Sequence, residues 1–166
     1  MIDHPESHEK WAASECRFRI RDASAGDIPA IRGLFAEHLA ALGYEPDPAL
    51  DADMDGFPAT YAGGGSHFIV AEDGSGEIAG MAGLKEGEIR RLYVKPSHRR
   101  RGLAGMLVQS LIERHRDGGP LFAVIASANP AAKAVFASLG FSATGGIPAH
   151  PKMKHCEILQ FQAKLI

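Results

Sequence analysis

The chain has 166 residues, of which 45% are hydrophobic and 23% charged, and its formal net charge is -2. That size suits one domain around one substantial core, and so apolar a composition excludes a disordered chain. A net charge this small excludes a generic nucleic-acid binder, so any affinity for anions has to be local.

Residues 1 to 14, MIDHPESHEKWAAS, lack the apolar centre of a signal peptide and are expected to form a flexible leader, the other reading being that Trp11 docks it on the domain or a partner. A single domain is expected over 15 to 166. Nothing in it approaches the length of a membrane span, and Cys16 and Cys156 show neither disulfide-framework nor metal-ligand spacing, so no metal is expected and the cytoplasm is the expected location. CRFRIR reads as a first strand with Phe18 and Ile20 on one side. Asp27 then caps a helix whose first turn tolerates Pro29, and Ile28, Ile31, Phe35, Leu39 and Leu42 form its apolar stripe before Gly43.

The segment YEPDPALDADMDGFPATYAGGG reads as a loop with one short helix over 52–61, and it gathers the carboxylates of Glu45, Asp47, Asp51, Asp53 and Asp55. HFIVAE and EIAGMAGL are strands joined by DGSG, and GEIRRLYV adds a third, which implies an antiparallel meander. After Pro96, Leu103, Met106, Leu107, Ser110 and Leu111 recur at helical spacing until Gly118, Gly119 and Pro120. LFAVIAS is a short apolar run between two helices, as expected of a strand buried on both faces and parallel to the strand before the first of them. Asn129 and Pro130 open a further helix with Ala132, Val135, Phe136 and Leu139 inward, closed by Gly140. FSA, the loop GGIPAHPKMK and the strand HCEILQFQAKLI complete the order β-α-(α)-β-β-β-α-β-α-β-β.

HRRRGLAGML, residues 98 to 107, sits between an apolar strand and a helix start. The first helical turn offers unpaired N–H groups and the positive end of a dipole, while Gly102, Ala104 and Gly105 leave room for a bulky diphosphate beside Arg99, Arg100 and Arg101. By itself the run also reads as a solvated basic turn.

Its context resembles the GNAT superfamily of acetyl-CoA-dependent N-acetyltransferases. Arg99, Gly102 and Ala104 match the first signature of that family, and NPAAKAVFASLGF is similar to the second through Asn129, Ala132, Gly140 and Phe141. The strand GEIRRLYVKP resembles the segment before the phosphate loop, and the likeness spans roughly residues 15 to 141 in element order. The resemblance implies an α/β (α+β) fold with a mixed, mostly antiparallel central sheet, splayed at one parallel strand pair and flanked by helices. Acetyl-CoA is the implied cofactor. Backbone groups of Leu92, Tyr93 and Val94 would pair with the pantetheine arm, the amides of Arg100, Arg101, Gly102, Leu103, Ala104 and Gly105 would cradle the diphosphate, and Asn129 would reach the arm. Phe136 would line the same cleft, and a bulge is expected near Leu92 or Tyr93. Pairing into a homodimer follows from the family alone.

The implied reaction is direct attack by a primary amine of a small acceptor. It needs a base, a donor for the developing oxyanion and an acid for the thiolate. Where the family usually carries a tyrosine as acid, this chain has Phe136. Water or the Asn129 helix start could serve instead, or Tyr93 or Ser138, or the chain could be a noncatalytic acyl-CoA-binding module. Glu88 resembles the glutamate base of the histone-acetylating branch, and its other reading is an edge carboxylate paired with Arg90 or Arg91. His98 is a rival base, otherwise a phosphate-assisting or exposed turn residue. The carboxylates of the acidic loop would attract a protonated amine or form a solvated surface. His67, His150 and His155 lack the spacing of a metal triad and read as surface or structural residues. Nucleic-acid binding through residues 95–101 is the third alternative, with strong salt dependence as its mark.

Overall fold

A computed structural model describes residues 18–126, 129–144 and 156–161. In chain order these form β1 (Arg19–Asp22), α1 (Ile28–Leu42), α2 (Ala52–Asp55), β2 (His67–Glu72), β3 (Ile78–Lys85) and β4 (Glu88–Val94), followed by α3 (Leu103–Arg114), β5 (Phe122–Ala126), α4 (Pro130–Ser138), β6 (Phe141–Ala143) and β7 (Cys156–Phe161). The strands make one seven-stranded sheet in the order β1-β2-β3-β4-β5-β7-β6. Every neighbouring pair is antiparallel except β4 and β5, which are parallel. The expected order of elements is the observed one. Trp11, Cys16, the GGIPAHPKMK loop, His150 and His155 lie outside the described residues, and no helix among those described is long and apolar enough to cross a membrane.

Strand alternation builds two cores. Ile69 and Ala71 of β2 face one way, with Ala79 of β3 and Leu103, Leu107, Val108 and Leu111 of α3, while Phe68 and Val70 face the other, with Ile31 and Leu34 of α1 and Met54 of α2. The predicted stripe of α1 needs one addition, since Leu34 is buried beside Ile31 and Leu39. Gly43 ends the helix at φ 75°, a left-handed conformation that glycine adopts without steric cost.

Four expectations are corrected. Asp27 occupies the cap position of α1, but its carboxylate accepts from the Ser24 amide at 2.8 Å and from two nitrogens of Arg21 at 2.7 and 2.9 Å. That fork, first, and the Ser24 bonds lower its pKa to about 2 against the cost of burial. The helix expected over 52–61 is interrupted: α2 stops at Gly56, the Phe57–Pro58 peptide is cis, and a 3-10 turn covers Ala59–Tyr61. Met106 is 43% exposed, because the inward stripe of α3 is Leu103, Leu107, Val108 and Leu111. β5 departs from expectation as well, with Ala123 buried and its other residues only half-buried. Its exposed stretch borders a cleft.

Candidate active site

The cleft begins where β4 and β5 part company. Their parallel pairing is limited to Glu88 with Phe122 and Ile89 with Ala123. On its other edge β4 changes register, since Met81 opposes Tyr93 while Gly83 opposes Arg90, so β4 carries one residue more than β3 over this stretch. The extra residue is a bulge, and Arg91 there adopts φ 58°. A non-glycine residue in that region costs about 1 kcal/mol or more. The bulge shifts the facing of the strand: Ile89 and Leu92, three apart, both join the α3-side core, and Tyr93 joins the α1-side core. Arg90 and Arg91, although consecutive, both reach the Leu50 carbonyl, at 3.3 and 3.0 Å. The expected bulge is therefore present, one residue earlier than Leu92.

At the far end of β4 the chain turns through Pro96–His98 into α3. Gly102, at φ 76°, caps α3 without any side-chain hydrogen bond, which leaves the first-turn amides open. Added methyl groups at Gly102 or Gly105 would meet no protein atom within 4 Å. Arg100 and Arg101 are exposed on this turn, and Arg100 holds φ 64°. Arg99 behaves differently. Its Nε donates to the Val94 carbonyl at 3.1 Å, and its guanidinium lies 5.6 Å from the Tyr93 ring centre, so it braces the strand end. An open, positively charged helix start and an unpaired strand edge fit an extended cofactor that carries a diphosphate.

Between these parts and α1 lies a cavity of about 600 Å³, lined by Glu88, Arg90, Leu92, Val124, Asn129 and Phe136 among others. Glu88 and Arg90 face each other at 3.6 Å, so the two readings of Glu88 coexist: it is paired, and it lines the cavity. Burial raises the Glu88 pKa above the ordinary carboxylate value, and the charges of Arg90 and Arg91 only partly oppose this. Asn129 Oδ1 accepts from the Ala132 amide at 3.2 Å and so caps α4, which leaves its amide nitrogen for any bound arm. Phe136 is fully buried, with its ring edge-on to Phe141 at 5.0 Å.

Several candidates are set aside by position. Tyr93 sits on the α1 side of the sheet, where its hydroxyl donates to Glu37 at 3.4 Å, and burial followed by the Glu37 charge raises its pKa. Ser138 is exposed and donates to the Val135 carbonyl at 2.6 Å. Neither replaces a missing acid in the cleft. His98 is not an exposed turn residue: its side chain is 13% exposed, Nε2 lies 3.1 Å from Asp73 Oδ2 and Nδ1 2.8 Å from the Ser97 hydroxyl, which ties the turn before α3 to the β2–β3 hairpin.

The acidic loop holds what the sequence reading missed. Asp47, Asp51 and Asp53 are buried. Arg91 Nη1 donates to Asp51 at 2.9 Å, Nε donates to Asp53 at 3.0 Å, and Nη2 also meets Asp53. Tyr61 donates its hydroxyl to Asp53, the Asp47 amide donates to Asp51 at 2.7 Å, and Asp47 accepts from the amides of Ala49 and Leu50. Burial disfavours the Asp53 carboxylate, yet the hydrogen bonds of Arg91 and Tyr61 lower its pKa below the ordinary value. His38, also unflagged, lines the cavity with its ring edge-on to Tyr93 at 5.2 Å, and burial, then Arg91 and Arg99, lower its pKa to about 4. It is neutral at physiological pH. The repeated arginine in IRRLYV was the only available signal for the Arg91 network, because the bulge that turns both guanidiniums to one face is invisible in a linear pattern.

Comparisons with known proteins agree with this geometry. The acetyltransferase (GNAT) family matches residues 33–141. An L-methionine sulfoximine/L-methionine sulfone acetyltransferase of Pseudomonas aeruginosa is 31% identical over 143 residues, covering 78% of this chain and 83% of that protein. Among solved structures, a GCN5-related N-acetyltransferase from Kribbella flavida superposes with a TM-score of 0.67 at 25% identity, covering 86% of this chain and 96% of the other. A GNAT superfamily phosphinothricin acetyltransferase from Sinorhizobium meliloti, solved in complex with AcCoA, gives 0.67 at 24% identity and 86% of both chains. With the splayed strands, the open helix start and the matched span in agreement, this chain belongs to the acetyltransferase (GNAT) family and is an enzyme that uses acetyl-CoA as its acetyl donor.

Proposed function

We propose that the chain acetylates a primary amine of a small molecule by direct attack within a ternary complex, with Glu88 as the base. The observation that carries this is Glu88 itself, a carboxylate lining the cavity on the short paired stretch next to where β4 and β5 separate, with a pKa raised by burial. A raised carboxylate pKa brings the group closer to neutral pH and makes it a better proton acceptor from an ammonium, directly or through one water.

Acetyl-CoA, when bound, supplies a thioester carbonyl open to nucleophilic attack. Backbone groups of Leu92, Tyr93 and Val94 hold the arm as an added strand, and the amides of residues 100–105 with Arg100 and Arg101 hold the diphosphate. The Asn129 amide nitrogen steadies the arm from the start of α4. Phe136 closes the apolar floor and excludes water, but it has no proton to give. A thiol pKa of about 8.5 makes thiolate a tolerable leaving group without a dedicated acid, so catalysis is slowed and not abolished.

The acceptor class rests on the cavity and on relatives. Glu45, Asp47, Asp51 and Glu88 outnumber Arg90 and Arg91 on its wall, which favours an acceptor that presents its amine as an ammonium. L-methionine sulfoximine and L-methionine sulfone, the substrates named for the Pseudomonas aeruginosa relative, are the first acceptors to try. Thiol release from acetyl-CoA over a panel of these and simple amines tests the reading. Saturable, acceptor-dependent release that Glu88→Gln removes supports it. Tight CoA binding with no turnover on any amine would reject it in favour of a binding module.

A further inference from the structure

We propose that Arg91 is a positioning residue that holds the β4 bulge open, and that Asp51 and Asp53 are its anchor and not the binding site of the amine. This rests on the reading that the cofactor arm lies along Leu92, Tyr93 and Val94.

The bulge falls at the point where pairing between β4 and β5 has ceased, so no rung on that edge fixes the backbone there. Arg91 nevertheless holds a positive φ that L-residues rarely adopt. Something outside the ladder has to maintain it. The side chain of that same residue is only 10% exposed and is held on every side: Asp51 and Asp53 take its nitrogens, the Leu50 carbonyl takes Nη2, and the Phe35 ring lies 5.1 Å from its guanidinium carbon. The anchor is in turn fixed, because the Asp47 amide donates to the other oxygen of Asp51 and the Tyr61 hydroxyl donates to the Asp53 oxygen that also accepts from Arg91 Nε.

A guanidinium is required for this, since only a planar fork with five donors satisfies two carboxylates and a carbonyl together. Every oxygen of the two carboxylates already accepts at least one hydrogen bond from the chain itself, and both carboxylates are buried against Arg91, which leaves them poorly suited to receive an ammonium. Burial would lower the pKa of Arg91, and its acidic partners reverse that, so the cation persists at any working pH. The acidic segment and the strand that carries the cofactor thus form one mechanical unit, joined mainly through Arg91, with Arg90 reaching the Leu50 carbonyl and Asp53 beside it.

Two variants test this, Arg91→Lys and the milder Asp51→Asn, with Asp27→Asn as a control that breaks a comparable ion pair away from the cleft. Calorimetry would measure binding of CoA and of adenosine 3′,5′-bisphosphate, which lacks the arm, and kinetics would follow the best amine. CoA affinity is expected to fall about tenfold, the equivalent of one well-placed backbone hydrogen bond, while the affinity for the armless nucleotide stays within about twofold. A loss of kcat by about tenfold to a hundredfold with an unchanged amine KM is expected alongside. An equal loss for CoA and the nucleotide, or a lower melting temperature with unchanged binding, would overturn the proposal as mere structural damage. A rise in amine KM alone would overturn it by returning the carboxylates to the acceptor site. The binding comparison reads out even if no amine is turned over, so its failure is separable from failure of the proposed function.

Discussion

Phe136→Tyr adds one oxygen at a fully buried position that the family usually fills with tyrosine. Two outcomes follow from where the new hydroxyl lands. The ring touches both the cavity, beside Asn129, Ala132, Val124 and Leu92, and the core, edge-on to Phe141. If its para position faces the cavity, the hydroxyl is hydrated or bonded and stability is nearly unchanged. If it faces the core, an unsatisfied buried hydroxyl costs about 1–3 kcal/mol, which lowers the melting temperature of a chain this size by roughly 2–12 °C. General acid catalysis contributes about 100-fold to 10,000-fold where the leaving group is poor, and less for a thiolate, so a rise in kcat of about tenfold is expected. The assay pairs a thermal melt with thiol release at saturating acetyl-CoA. A faster enzyme should also gain an alkaline limb near the phenol pKa of about 10. A lower melting temperature with no gain in rate would refute the reasoning, because it would place the ring edge in the core.

The other predictions are simpler. Gly102→Glu should abolish CoA binding by calorimetry, since the added side chain occupies the open space above the α3 amides, sets a negative charge there and sits at φ 76°; undiminished affinity would remove that turn as the diphosphate site. Glu88→Gln should lower kcat about a hundredfold with little change in cofactor affinity. In the native chain, kcat/KM should fall as acid protonates Glu88, along a limb centred above the ordinary carboxylate pKa because burial raises it; a limb at the unshifted value would count against Glu88. Asp27→Asn should destabilise the fold by about 2 kcal/mol at neutral pH, since the carboxylate pKa moves from 3.8 to about 2 on folding. A depressed pKa gives stability that is present above pH 4 and lost as pH falls towards 2, so denaturant melts of native and variant chains should converge there.

Local periodicity was enough to read most of the scaffold. The alternation of β2 and β3, the stripe and Gly43 stop of α1, and the Asn129–Pro130 start of α4 are all visible in the chain, because each depends on neighbours within a few residues. The open basic turn before α3 was legible for the same reason: its glycines, its arginines and its helix start are contiguous. Glu88 was legible as a carboxylate at a strand start, though not as one whose pKa burial raises. The facing of Arg91 was not legible, since strand alternation predicts that Arg90 and Arg91 point to opposite sides and only a bulge formed against β3 reverses this. The burial of Asp51 and Asp53 was hidden as well. A run of carboxylates looks solvated until a cation 38 or 40 positions away is folded onto it, and that meeting is decided by the packing of the acidic segment against β4. Sequence determined the pieces whose energies are short-range; tertiary structure decided which distant charges share a low-dielectric space, because Coulomb energies there depend on distances that no linear pattern encodes.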